Sequence, residues 1–171
     1  MLLSNPFKKI SLFLLCCSII FSAKAAYIFI PMDKSQSNHL KAYGIAFYTI
    51  ERDVKVDWLL NYQGGSFMIK QHADIENECN IRGVSYHLIA DVQSTQILQS
   101  IASPEVNQDV VRLEKVPKIA IYSPNNKQPW DDAVTLALTY AEIPYEVIYD
   151  EEVLANLLPL YDWLHLHHED F

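Results

Sequence analysis

The stretch from residue 118 to residue 167 constrains the fold most. It reads as an apolar strand (118–122), an apolar helix (130–141), a strand (145–149), a short helix (151–158) and a further strand (163–167). These strands are continuously apolar rather than alternating, the pattern of strands buried on both faces of a parallel sheet. Asp131 or Asp132 stands where the first helix needs an N-cap, Pro144 follows its end, and Pro159 stops the second helix. Crossovers between parallel strands in one sheet are right-handed. The expected architecture is α/β, a doubly wound and mostly parallel sheet.

Upstream, residues 26–103 carry the same kinds of element with weaker signals. Residues 26–31 and 54–60 read as strands, with helical spacing of Leu40, Tyr43, Phe47 and Ile50 between them. Asn61-Tyr62-Gln63-Gly64-Gly65 is a turn, and residues 66–70 form a short extra strand. A helix over 74–82 is closed by Gly83. A strand over 84–90 leads into a helix over 92–102, with Asp91 placed to cap it. Residues 104–117 are polar and read as a connector between an N-terminal lobe (26–103) and the βαβαβ portion (118–171). Whether the two halves share one sheet is open at this stage.

Residues 1–25 have the pattern of a signal peptide. Lys8 and Lys9 precede an apolar run over 10–21, and Ala23-Lys24-Ala25 is a small-x-small cleavage signal. The run is shorter than the roughly 20 residues of a membrane span, so no stable span is expected after cleavage. Cleavage removes three lysines and no acids, which takes the formal charge from −8 to −11. An exported, acidic domain repels phosphate backbones, so nucleic acid is not an expected partner. Cys79 alone remains of the cysteines, so no internal disulfide is available and the core must hold the fold.

Three of the six histidines fall in the last ten residues, Asp-Trp-Leu-His-Leu-His-His-Glu-Asp-Phe. This is a strand running into a polar loop, and strand-end loops are where open α/β sheets bind ligands. His165 and His167, two apart on a strand, share a face. One reading makes His165, His167 and Glu169 catalytic acid–base groups, with His165, His167, His168 and Asp170 as ligands to a divalent metal. The plainer reading packs His165 under a helix and leaves the rest as a solvated loop. A chain ending at this point is expected to be the N-terminal part of a longer protein.

Other candidates have plainer alternatives too. Asp33, Asp91, Asp150 and Asp170 each follow a strand and could converge on magnesium, but Asp is also a favoured helix cap. Asn61, Gly64, Gly65 and Ser66 could hold substrate or an anion through backbone N–H groups, or form an ordinary turn. Cys79 reads as a small buried hydrophobe rather than a nucleophile. Ser123, at the end of a strand, could touch substrate or belong simply to a loop.

Several segments carry a family resemblance: Ile30-Pro31-Met32-Asp33, residues 38–44, Val56-Asp57-Trp58-Leu59-Leu60-Asn61-Tyr62, Gly64-Gly65-Ser66-Phe67, Pro129-Trp130-Asp131-Asp132-Ala133-Val134-Thr135 and residues 161–171. Together they cover nearly all of the chain after residue 25. They resemble a family of exported bacterial proteins labelled asparagine synthetase B. The second half is similar, at the level of fold, to the class I glutamine amidotransferase-like group of flavodoxin-like proteins. The resemblance implies glutamine-dependent amide transfer. Such synthetases use an N-terminal cysteine, where this chain has Leu2 or, after cleavage, Ala26. Their Ser-Gly-Gly-x-Asp-Ser ATP loop has its nearest match in Gln63-Gly64-Gly65-Ser66-Phe67, without the Asp and the final Ser.

Two functions follow as expectations. The first is an exported α/β protein of enzyme type, with a small-molecule pocket at the strand ends. The second is a non-catalytic envelope module that binds a glycan, peptide or protein through exposed aromatics such as Tyr62, Phe67 and Trp130.

Overall fold

The structure, a computed structural model, describes residues 26–123 and 132–166. Residues 1–25, Trp130, His167, His168, Glu169 and Asp170 lie outside the described residues.

The first half is built from β1 (Tyr27–Ile30), α1 (His39–Ile50), β2 (Val56–Leu60), β3 (Ser66–Lys70), α2 (Ala73–Arg82) and β4 (His87–Ile89), followed by α3 (Asp91–Ile101) and β5 (Asp109–Leu113). Its five strands form one sheet in the order β4-β1-β3-β2-β5, and every neighbouring pair is antiparallel. The mostly parallel sheet expected from the sequence is therefore corrected here. Strands β1 to β4 with α1 and α2 have the split βαββαβ arrangement, in which each crossover leaves room for an antiparallel strand between its ends. The five-residue turn after β2 decides this, because a connection so short joins antiparallel strands only.

Strand alternation divides the core in two. Ile28, Ile30, Val56, Phe67 and Ile69 face Ala42, Ile45 and Ile50 of α1 and Ile75 and Cys79 of α2. Phe29, Leu59, Met68 and Ile89 face the other way, against Ile97, Leu98 and Ile101 of α3. Register reinforces both sets: Ile28 lies opposite Ile69, and Phe29 opposite Met68.

Residues 104–117 are not a plain connector. Val110 and Val111 pair with Leu59 and Trp58, so β5 is an edge strand. Asp91 is the first helical residue of α3 rather than its cap. Ala90 occupies the cap position, and its N–H donates to Gln93 Oε1 at 3.0 Å.

The second half holds β6 (Ile119–Tyr122), α4 (Ala133–Ala141), β7 (Glu146–Ile148), α5 (Asp150–Leu154), a 3₁₀ turn (Leu158–Leu160) and β8 (Trp163–Leu166). Its three strands are parallel, in the order β7-β6-β8. Ile119 and Ile121 pack on Leu138 of α4. His165 lies opposite Ile121 in register, so it shares that face, while Leu164 and Leu166 share the opposite face with Ala120 and Tyr122.

The two halves meet where α1 packs against α4. Asn38 Nδ2 donates to Tyr140 Oη at 2.8 Å. Glu142, in the left-handed conformation at the end of α4, binds both Lys41 and, at 3.1 Å, Arg82. Gly44 sits against the Ala141 carbonyl so closely that a Cβ there would lie 1.9 Å from the oxygen.

Candidate functional site at the carboxyl ends of the parallel strands

Parallel strands bring all their carboxyl ends to one edge, and here that edge gathers Tyr122 and Ser123 after β6, Ile148 to Asp150 after β7, and Leu166 at the end of β8. The N-terminus of α4 returns to the same edge, because α4 starts its run back along the sheet from there. Two sets of side chains result, one on each face of the sheet.

On the α4 face, His165 Nε2 lies 3.0 Å from Asp132 Oδ2. Asp132 is the N-cap of α4 and accepts from the Thr135 N–H at 2.9 Å. It is 5 % exposed. Burial pushes its carboxyl pKa up, but the Thr135 N–H and the His165 ring outweigh that, and the net direction is below the ordinary carboxylate value. Asp132 is therefore ionised at neutral pH. A carboxylate accepts only, so a neutral His165 must carry its proton on Nε2, which leaves Nδ1 as the basic nitrogen. A buried carboxylate that fixes the tautomer and steadies the imidazolium is the standard support for an acid–base histidine.

Ser123 continues the strand alternation of β6 onto this same face. Its N–H donates to Ile148 O at 3.0 Å, whereas its Oγ is fully buried and has no hydrogen-bond partner among the described residues. A buried hydroxyl without a partner costs about 1–3 kcal/mol, so its retention calls for a reason.

On the α5 face lies an apolar cavity of about 410 Å³, within the range of small-molecule pockets. Val153, Leu154, Leu158, Leu164 and Leu166 form its walls, and Leu154 is 85 % exposed. Tyr122 and Asp150 supply its polar rim, with Tyr122 Oη donating to Asp150 Oδ1 at 2.6 Å.

Of the residues singled out in the sequence, His165, Ser123 and Asp150 come to this edge; His167, His168, Glu169 and Asp170 follow β8 outside the described residues. Among the described residues, no three His, Cys, Asp or Glu side chains gather as metal ligands do. Asp33 and Asp91 do not join Asp150. They follow β1 and β4 of the other sheet, and because those neighbours are antiparallel their carboxyl ends point to opposite edges. Asp33 accepts from Ser35 N at 2.9 Å and Ser35 Oγ at 2.6 Å.

The Asn61 to Ser66 turn also belongs to the first sheet. Its polar groups serve the turn: Gly65 and Ser66 N–H donate to Tyr62 O, and Ser66 Oγ donates to Tyr62 O at 2.9 Å. Asn61 Nδ2 donates to Asn107 O at 2.9 Å. Gly64 has φ +82°, and a Cβ there would lie 2.4 Å from Met32 O, so the glycine lets two loops touch. Phe67, expected among exposed aromatics, is buried between Tyr43 and Trp58. Cys79 is fully buried, and burial together with Glu76 and Glu78 pushes its thiol up to about 12. That suits a packing residue and not a nucleophile.

The sequence reading missed Asp132 as the partner of His165. Its cap position was visible, but a contact spanning 33 residues has no local signal. The leucine cavity was signalled only by apolar residues in a helix too short to bury them.

No protein-family model, curated protein or solved structure matches the chain.

Proposed function

We propose that this chain is an exported α/β protein of enzyme type that binds a small molecule at the carboxyl edge of β6, β7 and β8, with His165 as the acid–base group. The observation that carries the reading is the 3.0 Å contact between His165 and the buried Asp132, with the unpartnered Ser123 hydroxyl on the same face. In this reading Asp132 orients the ring, His165 Nδ1 exchanges the proton, and Ser123 Oγ hydrogen-bonds the ligand. By sequence, His167 and Glu169 join His165 as acid–base groups, and His165, His167, His168 and Asp170 are the proposed donor set for a divalent metal. Residues 1–25 support export by their charge and hydropathy pattern.

The strand order β7-β6-β8, with α4 and α5 on opposite faces, supports a flavodoxin-like second half. The resemblance to the exported family labelled asparagine synthetase B rests on the sequence segments alone. Amide transfer draws less support from the site, since the one cysteine of the described residues is buried in the core of the first half, with its thiol pushed up to about 12.

A second reading, a non-catalytic envelope module, rests on the leucine-walled cavity, which suits an apolar group of a glycan, peptide or protein ligand. A fragment library screened by ¹⁵N-edited NMR separates the two. Under the first reading, hits shift Ser123, Thr135 and His165, and His165→Ala abolishes any turnover found. Hits confined to Val153, Leu158 and Leu166, unaffected by His165→Ala, favour the second. Hits that avoid this edge altogether defeat both.

A further inference from the structure

A second cavity, of about 480 Å³, lies on the five-stranded sheet and has no part in the site above. It opens on the face that α3 covers, but no residue of α3 lines it. Tyr27, packed at the margin of that core, supplies an apolar ring, and Met68, buried in the core, lies at the floor.

The rim is charged in an ordered way. Arg112 Nε and Nη2 donate to the two oxygens of Asp57 at 2.7 and 3.2 Å, which fixes the guanidinium in place. Lys55 Nζ is held by Glu114 at 2.6 Å. Lys70 lies opposite Tyr27 in register, and His72 follows it two residues on. Neither makes an ion pair among the described residues, so both keep donors to offer. The lining holds Lys55, Lys70 and Arg112 against Asp53 and Asp57, and Glu114 against Lys55 makes the rim neutral before His72 is counted. In a chain of net charge −8, a neutral rim repels an anion less than the rest of the surface does.

We propose that this cavity is a second ligand site, which takes a small carboxylate with a flat apolar body. Two donors without an ion pair suit one carboxylate, and the acids Asp53, Asp57 and Glu114 oppose a polyphosphate. The body stacks on Tyr27 and Met68, and the carboxylate accepts from Lys70 and His72. The volume admits a ligand of two fused rings.

The test is a titration of the ¹⁵N-labelled protein with 2-naphthoate and, separately, with its neutral isostere 2-naphthamide, at low salt. The expected result is saturable naphthoate binding that shifts the amides of Tyr27, Met68, Lys70 and Arg112. The amide should bind about tenfold more weakly, as for loss of one charge-assisted hydrogen bond. Lys70→Gln, an exposed position that leaves the core intact, should weaken naphthoate about threefold and leave naphthamide unchanged. Equal affinity for acid and amide, no effect of Lys70→Gln on naphthoate, shifts confined to other surfaces, or no saturation at about 10 mM each overturns the proposal.

Discussion

Replacing Gly44 with alanine should destabilise the protein, although helix propensity alone predicts the reverse. Gly44 lies within α1 with ordinary helical backbone, and there Gly→Ala contributes about 1 kcal/mol of stability when the side chain meets solvent. At this position the new Cβ would lie 1.9 Å from Ala141 O, 3.0 Å from Ala141 C and 3.2 Å from Arg82 Nη1. Carbon and carbonyl oxygen approach to about 3.3 Å, so α1 and α4 would have to part by more than about 1 Å. Overpacking of this kind costs about 1–3 kcal/mol. Parting the helices also loosens the Lys41–Glu142 and Arg82–Glu142 pairs, at up to about 1 kcal/mol each. The net expectation is a loss of about 1–2 kcal/mol once the propensity gain is subtracted. Urea unfolding reads this as a midpoint lower by roughly 0.5–1 M. Hydrogen exchange should show protection lost first in α4 and along α1, with β1 and β3 retaining theirs. A midpoint equal to or above wild type would refute the close packing of the two halves.

Asp132→Ala should cost about 1–2 kcal/mol through loss of the helix cap, whereas Asp132→Asn should keep most of the cap and lose the hold on His165; thermal unfolding of the two variants makes the comparison. Asp132, Glu142, Glu146 and Asp162 all have folded pKa values below their ordinary ones, so their stabilisation is present above the ordinary carboxylate range and is lost as pH falls through the folded values. The urea midpoint should therefore change little between about pH 7 and 5 and drop below about pH 4; a protein most stable at about pH 3 would contradict this. Cys79, buried and with its thiol pushed up to about 12, should react with a thiol reagent much more slowly in the native than in the unfolded protein, and equal rates would contradict its burial. Aspartate, glutamine and ATP supplied together should give no asparagine, and measurable turnover would restore amide transfer as the leading reaction.

The second half was legible because its strands are largely apolar and β6 and β7 are each followed by a helix, a pattern that suits parallel sheets. The first half offered a similar run of elements, yet its sheet is antiparallel. The Asn61 to Gly65 turn held that information, because so short a connection joins antiparallel neighbours, but crossover helices before and after it invited a parallel reading. Strand β5 escaped because Asp109 and Arg112 are exposed on an edge, and only Val110, Val111 and Leu113 carry apolar character. At the site, His165 was visible by its place at a strand end. Asp132 was visible only as a cap, and the cavity of Val153, Leu154 and Leu158 required knowing which face α5 covers. Distance along the chain, and not weak residue preference, hid the rest.

The account rests on Asp132 holding His165, and the imidazole reports on that contact directly. Long-range ¹H–¹⁵N NMR of the neutral His165 ring should show the proton on Nε2 and none on Nδ1, with that preference lost in Asp132→Ala. A ring protonated on Nδ1, or a tautomer unchanged by Asp132→Ala, would show that the pair does not exist and would remove the site built on it.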